Sequence, residues 1–359
     1  MRNAIQSVSR PMLVGSILLL STTAQAGDSG NVYVPLGTAN AIVIIDAKTS
    51  KITGKIDGVP NAHGLAKTPD GRYLIAGRND ERKVGSSAPQ KPAGVSADDH
   101  AAHHTKPAAG KAKSTGAVSS LSVIRIKDRA VVRLVDVPGA VHHVAVNRQG
   151  SLAVVTHPNQ DAASLVDLKA FVVVATIATG PLPNYAAFSP DGQHAYVSNA
   201  GNNTVSDIDV ARKIVLRNIA VGDSPEHLVL TKDGTRLFVN NVNDGTVSAV
   251  DLRTGNVART YRVGSSLHGI DLSADEKTLY VAALGDDMVA AVDLANGKLR
   301  TMKLSPAPYH LATIRGTGRV FVSSAQQPKL WVLDGASLKL IGEVPIGGKG
   351  HQMVHVDVR

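Results

Sequence analysis

The chain has no cysteine, a single tryptophan and only 3% aromatic residues among its 359. Without cysteine there is no disulfide, no thioether link to a c-type haem and no thiolate for a metal. Any metal site must therefore be built from His, Asp, Glu, Asn or Met. Long hydrophobic runs are scarce as well. The run from Met12 to Leu20 is too short to span a bilayer. It follows Arg2 and Arg10 and precedes Ala24-Gln25-Ala26, the small-x-small pattern of a signal-peptide cleavage site. Residues 1–26 are expected to be a signal peptide, and the mature chain, 27–359, to be periplasmic or secreted without a membrane span. Also missing are a Gly-x-Ser-x-Gly elbow, a Walker loop and a GxGxxG after a strand, so hydrolase and nucleotide readings have no motif and no catalytic residue is assigned.

Positive charge is in excess: the formal +9 falls to about +7 when Arg2 and Arg10 are removed. No aromatic-basic stripe accompanies it, which makes nucleic acid a weaker candidate partner.

What the sequence does contain is a repeat. HGLAKTPDGRYLIAG begins at His63, HHVAVNRQGSLAVVT at His142, NYAAFSPDGQHAYVSN at Asn184 and EHLVLTKDGTRLFVNN at Glu226. HGIDLSADEKTLYVAA from His268, HLATIRGTGRVFVSSA from His310 and HQMVHVDV from His351 continue it. From His142 onward the starts lie 42, 42, 42, 42 and 41 residues apart, whereas the first interval is 79. Apolar residues alternate within each unit, and Asp-Gly or Asn-rich breaks mark hairpins. Four short antiparallel strands per unit are the mark of a propeller blade. Six units are complete; Asn31 to Asp57 supplies three strands and Met353 to Val358 one. The expected fold is all-β, a single seven-bladed β-propeller over 27–359, closed by the C-terminal strand joining the N-terminal three.

The long first interval predicts a disordered insertion over 82–119, rich in Ala, Gly, Ser, Pro and Lys. It carries Asp98, Asp99, His100, His103 and His104. Strand direction places it over the same channel mouth as the repeat starts, with His157 from the next blade's equivalent loop. The aspartates Asp46, Asp167, Asp209, Asp251, Asp293 and Asp334 recur before a turn and read as structural; His194 and His355 read as structural too, although His355 becomes a deeper ligand if it points into the channel.

Aligned in this way, His63, His142, Asn184, Glu226, His268, His310 and His351 occupy one position, where each innermost strand begins. Thirteen histidines in the whole chain would put about a quarter of one there by composition alone. His143 and His227 follow directly. Innermost strands line a propeller's channel, so these imidazoles converge at its mouth. Imidazole suits zinc and copper, and Glu226 adds an oxygen ligand. The expected metal set is His63, His142, His143, Glu226, His227, His268, His310 and His351, with His100, His103, His104 and His157 as accessory ligands. A zinc or copper carrier, monomeric and exchanging its ion with a periplasmic donor or acceptor protein, is the leading expectation. A non-enzymatic protein- or DNA-binding scaffold is the alternative.

AYVSNAGNNTVSDIDV (Ala195 to Val210) and LYVAALGDDMVAAVDL (Leu279 to Leu294) resemble the YVTN-type β-propeller repeats of exported bacterial proteins, which implies the fold more than a function. The histidine hub is similar to the copper-cluster propeller of nitrous-oxide reductases, with His142-His143 as the matching pair. This chain lacks that family's cupredoxin domain and cysteines. Hub histidines beside an Asp/His-rich segment resemble periplasmic zinc metallochaperone propellers. The haem propeller of cytochrome cd-type nitrite reductases is a further resemblance; it implies His63, His142 or His268 as an axial ligand, but the ring has no arginines to meet the macrocycle's carboxylates.

Overall fold

In the computed structural model, which describes residues 30–83 and 116–357, each repeat folds as an antiparallel sheet, and seven sheets close into a ring. The hairpins form where turn chemistry stands. Thr68, Ser189, Thr231 and Ser273 each donate a hydroxyl hydrogen bond to the aspartate two residues on. At Asp233 these bonds, that from Thr231 foremost, hold the carboxyl down to about 2. The aspartates that end the third strands accept backbone N–H groups from the following turn: Asp46 from Thr49, Asp167 from Lys169, Asp209 from Arg212, Asp251 from Arg253, Asp293 from Ala295 and Asp334 from Ser337. They are structural, as their position predicts.

Blade 1 joins Val354–Val356 to Asn31–Pro35, Ala41–Asp46 and Ile52–Asp57. The closing strand sets Asn31 opposite Val356 and Tyr33 opposite Val354, and so removes the open edge. Middle strands such as Ala41–Asp46 and Thr246–Asp251 are buried on both faces because a blade is covered on both sides; outermost strands such as Ile214–Ala220 are largely exposed. Seven apolar clusters result, one between each neighbouring pair of blades. The cluster of Phe321, Leu330, Val332, Val32, Val34 and Val43 joins the last blade to the first.

Blade 2 departs from the four-strand plan. Arg82–Lys83 forms a short extra strand against Val118 and Ala117. Both ends of the expected 82–119 insertion are thus part of the sheet, and Arg82 also bonds to Asp136. Residues 84–115, with His100, His103 and His104, and the expected signal peptide lie outside the described residues. Among the described residues no helix is long and apolar enough to cross a membrane.

Candidate metal centre

The innermost strands share a local defect. In blade 4, Pro183 pairs with Asn199 and Ala186 with Val197, so two residues, Asn184 and Tyr185, stand against one. The same β-bulge holds His63-Gly64, Glu226-His227, His268-Gly269 and Tyr309-His310. In blade 3, His142 and His143 both bond to the backbone of Thr156. A bulge re-aims side chains, and here it does so at the channel.

This register corrects the expected ring by one residue. Pro308 pairs with Ser324 as Pro183 does with Asn199, so Tyr309 is equivalent to Asn184, and His310 to Tyr185, His143 and His227. The reason lies one blade earlier. Blades 4, 5 and 7 carry an extra bulge residue between their third and fourth strands, and blade 6 does not. The sequence held the signal: Pro308-Tyr309-His310 matches Pro183-Asn184-Tyr185 and Pro225-Glu226-His227. Sequence reasoning thereby missed Tyr309, whose ring lies 3.9 Å from that of His268 and 4.3 Å from that of His310. Burial, with the charge of Glu226, pushes its phenol up.

The histidines do converge. The ring of His63 stands 4.3 Å from His351, 4.5 Å from His142 and 5.8 Å from His310. Across the hub, His227 and His268 are 4.1 Å apart, and His310 lies 4.6 Å from His268 and 5.0 Å from His227. Among the described residues, two groups bring three ligand nitrogens within 4.8 Å of one another: His63, His310 and His351, and His227, His268 and His310. His63, His227, His268 and His310 are each no more than 4% exposed.

Hydrogen bonds decide which nitrogens can bind a cation. The Nδ1–H of His63 donates to the carbonyl of His142 at 2.9 Å, and that of His142 to the carbonyl of Asn184 at 3.1 Å. A carbonyl only accepts, so both neutral rings turn an Nε2 lone pair outward, oriented as metal-binding imidazoles usually are. His143 is the opposite case. Its Nδ1 accepts the backbone N–H of Ala186 at 3.2 Å, which puts the proton of the neutral ring on Nε2 and leaves no lone pair for an ion. Burial, then the nearby His227 and His142, drive its pKa well below the ordinary value, and its ring stacks 3.4 Å from Tyr185. It supports the hub by packing.

His157 is also displaced from its expected role. It is fully buried, with Nδ1 bonded to the Ala140 carbonyl and Nε2 to the Ser164 hydroxyl. Glu226 is buried beside the hub but belongs to neither three-histidine group. His194 bonds Asp207, in keeping with a structural role. His355 lies toward the far end of the channel, in a cavity of about 330 Å³ that also takes in Lys67, Asp271 and Arg315.

Two features fix the hub backbone. Thr156, Ser198 and Asn240 donate to the carbonyls of Asn184, Glu226 and His268 in the next blade. At Gly64 a Cβ would lie 2.9 Å from His143 Cα, so only glycine lets these strands approach. The described flank of the insertion reaches the same end: Glu81 accepts the N–H of Ala140, two residues before His142.

Residues 162–294 match a family model described as YNCE-like beta-propeller, in agreement with the YVTN-type resemblance. No curated protein matches the chain. Among solved structures, the periplasmic gluconolactonase PpgL of Pseudomonas aeruginosa is 18% identical, with a TM-score of 0.68 over 92% of this chain and 99% of that one. Hydrazine synthase of Kuenenia stuttgartiensis is 19% identical, with a TM-score of 0.64 over 80% of this chain and 87% of that one. Dihydro-heme d1 dehydrogenase NirN, in complex with DHE, is 13% identical, with a TM-score of 0.64 over 92% and 76%. At these identities the likeness is one of fold.

Proposed function

We propose that this seven-bladed propeller is a periplasmic metal-binding protein that carries zinc or copper at its histidine hub. The observation behind this reading is the pair of buried three-histidine groups, each with its ligand nitrogens within 4.8 Å. Three imidazoles and no thiolate suit zinc or copper(II). Three protein ligands also leave one position of a tetrahedral ion open, as a site that must release its ion requires. The export pattern at Arg2 to Ala26 supports the compartment, and PpgL is itself described as periplasmic. Haem fits less well: hub rings 4.1–6.0 Å apart leave no room for a macrocycle between them.

The test is elemental analysis and titration of the purified mature chain with zinc and copper(II). The expected result is tight binding that is lost in His310→Ala. A protein that binds neither ion, or salt-dependent DNA binding untouched by that substitution, favours the scaffold reading instead.

A further inference from the structure

Five hub histidines fall into two triads that overlap at one residue, His310. The five nitrogens are not all within 4.8 Å of one another, so a single ion cannot take them all. His227 Nε2 and His310 Nδ1 are 3.3 Å apart. That is long for a hydrogen bond, but two nitrogens on one tetrahedral zinc, each about 2.05 Å from it, are separated by roughly 3.3 Å. An imidazole carries its two nitrogens on different edges of the ring, so a His310 that meets His227 through Nδ1 has Nε2 as its second ligand atom.

We infer that the hub holds two cation sites sharing His310, one completed by His227 and His268 and the other by His63 and His351. This rests on the metal-carrier reading and adds a stoichiometry and an arrangement to it. When both sites are filled, His310 bridges the ions through its two ring nitrogens; its N–H proton leaves to solvent as the second ion binds, and nothing is oxidised or reduced. Two metal–nitrogen bonds of about 2 Å across an imidazole set the ions roughly 6 Å apart. The negative imidazolate between them offsets their repulsion. The Nδ1–H bond of His63 to the His142 carbonyl at 2.9 Å fixes one ligand of the second site in the required tautomer. Gly269, beside His268, keeps the space between blades 6 and 7 small enough for His310 to reach both triads: a Cβ there would lie 2.5 Å from Leu311 N.

The experiment counts ions in the full chain with His100, His103 and His104 replaced by alanine, so that the inserted segment adds none. Native mass spectrometry after zinc loading is expected to find two ions per chain, one in H268A, one in H63A and less than one in H310A and H310Q. Circular dichroism verifies that each variant is folded. With copper(II), the first equivalent should give an isolated paramagnetic signal, and the second should reduce the signal per copper by coupling through the bridge. One ion per chain, with H63A or H268A lacking any effect, overturns the shared-site inference and leaves the carrier reading standing. No ion at all overturns both.

Discussion

Replacing Gly269 by alanine tests the hub's construction at one atom. The added Cβ would lie 2.5 Å from Leu311 N, 2.6 Å from Tyr309 O and 2.9 Å from His310 C. All three are backbone atoms of the next blade, so no rotamer change relieves the contact. Overpacking costs about 1–3 kcal/mol, and backbone on three sides puts this case near the upper end. Gly342 is the control, since a Cβ there meets nothing within 4 Å and its replacement should stay within about 0.5 kcal/mol. For a chain of this size, about 3 kcal/mol lowers the melting temperature by about 4 °C. Thermal unfolding of the metal-free protein, followed by circular dichroism, reads this directly. Because the displaced segment carries His310, zinc affinity should also fall by at least about tenfold, equivalent to about 1.4 kcal/mol. If G269A melts with G342A and binds zinc like the parent, the close approach of blades 6 and 7 does not hold the hub together.

His157 makes stability acid-sensitive. Burial lowers its pKa to about 4 from 6.5, so the unfolded chain binds the proton more readily; the contribution is complete above pH 6.5 and is lost as pH falls toward 4. The loss is about 3 kcal/mol; denaturation of H157Q should show a flatter pH profile, and an unchanged slope would refute the assignment. Phe321, wholly buried in the cluster that joins blades 7 and 1, should cost about 3–5 kcal/mol when replaced by alanine; a melting curve like the parent's would mean that cluster contributes little. Truncation after Gln352 removes the closing strand Val354–Val356 and exposes the edge of Asn31–Pro35. Size-exclusion chromatography should then find soluble aggregates, and a monomer with parental melting would show that closure is dispensable.

Much of this structure was legible in the sequence because each level gave the same message. Asp-Gly turns, apolar alternation and a constant interval all described a blade, and the partial units at the two ends added up to one more. The placement of His63, His268 and His351 at the hub followed from the start of their repeats alone. What escaped was finer. A one-residue gap can be placed on either side of a histidine, and only the proline at 308 favours the side the structure takes; hence Tyr309 went unseen. The difference between His142 and His143, adjacent and chemically identical, depends on whether a ring meets a carbonyl or an N–H from the next blade. No repeat alignment carries that information. His157 appeared to stand at a loop because it ends a strand, yet the Ser164 hydroxyl and the Ala140 carbonyl enclose it.

The closing strand also sets a schedule. His63 lies near the beginning of the ring, whereas His310 and His351 come at its end, and His351 stands three residues before the strand that pairs with Asn31–Pro35. Until the ring closes, His63 and His351 therefore stand at opposite ends of an open chain. The group of His63, His310 and His351 is assembled only after the last residues have docked, whereas that of His227, His268 and His310 contains none of them. The same join that completes the sheet thus acts as a checkpoint on the assembly of one of the two histidine groups.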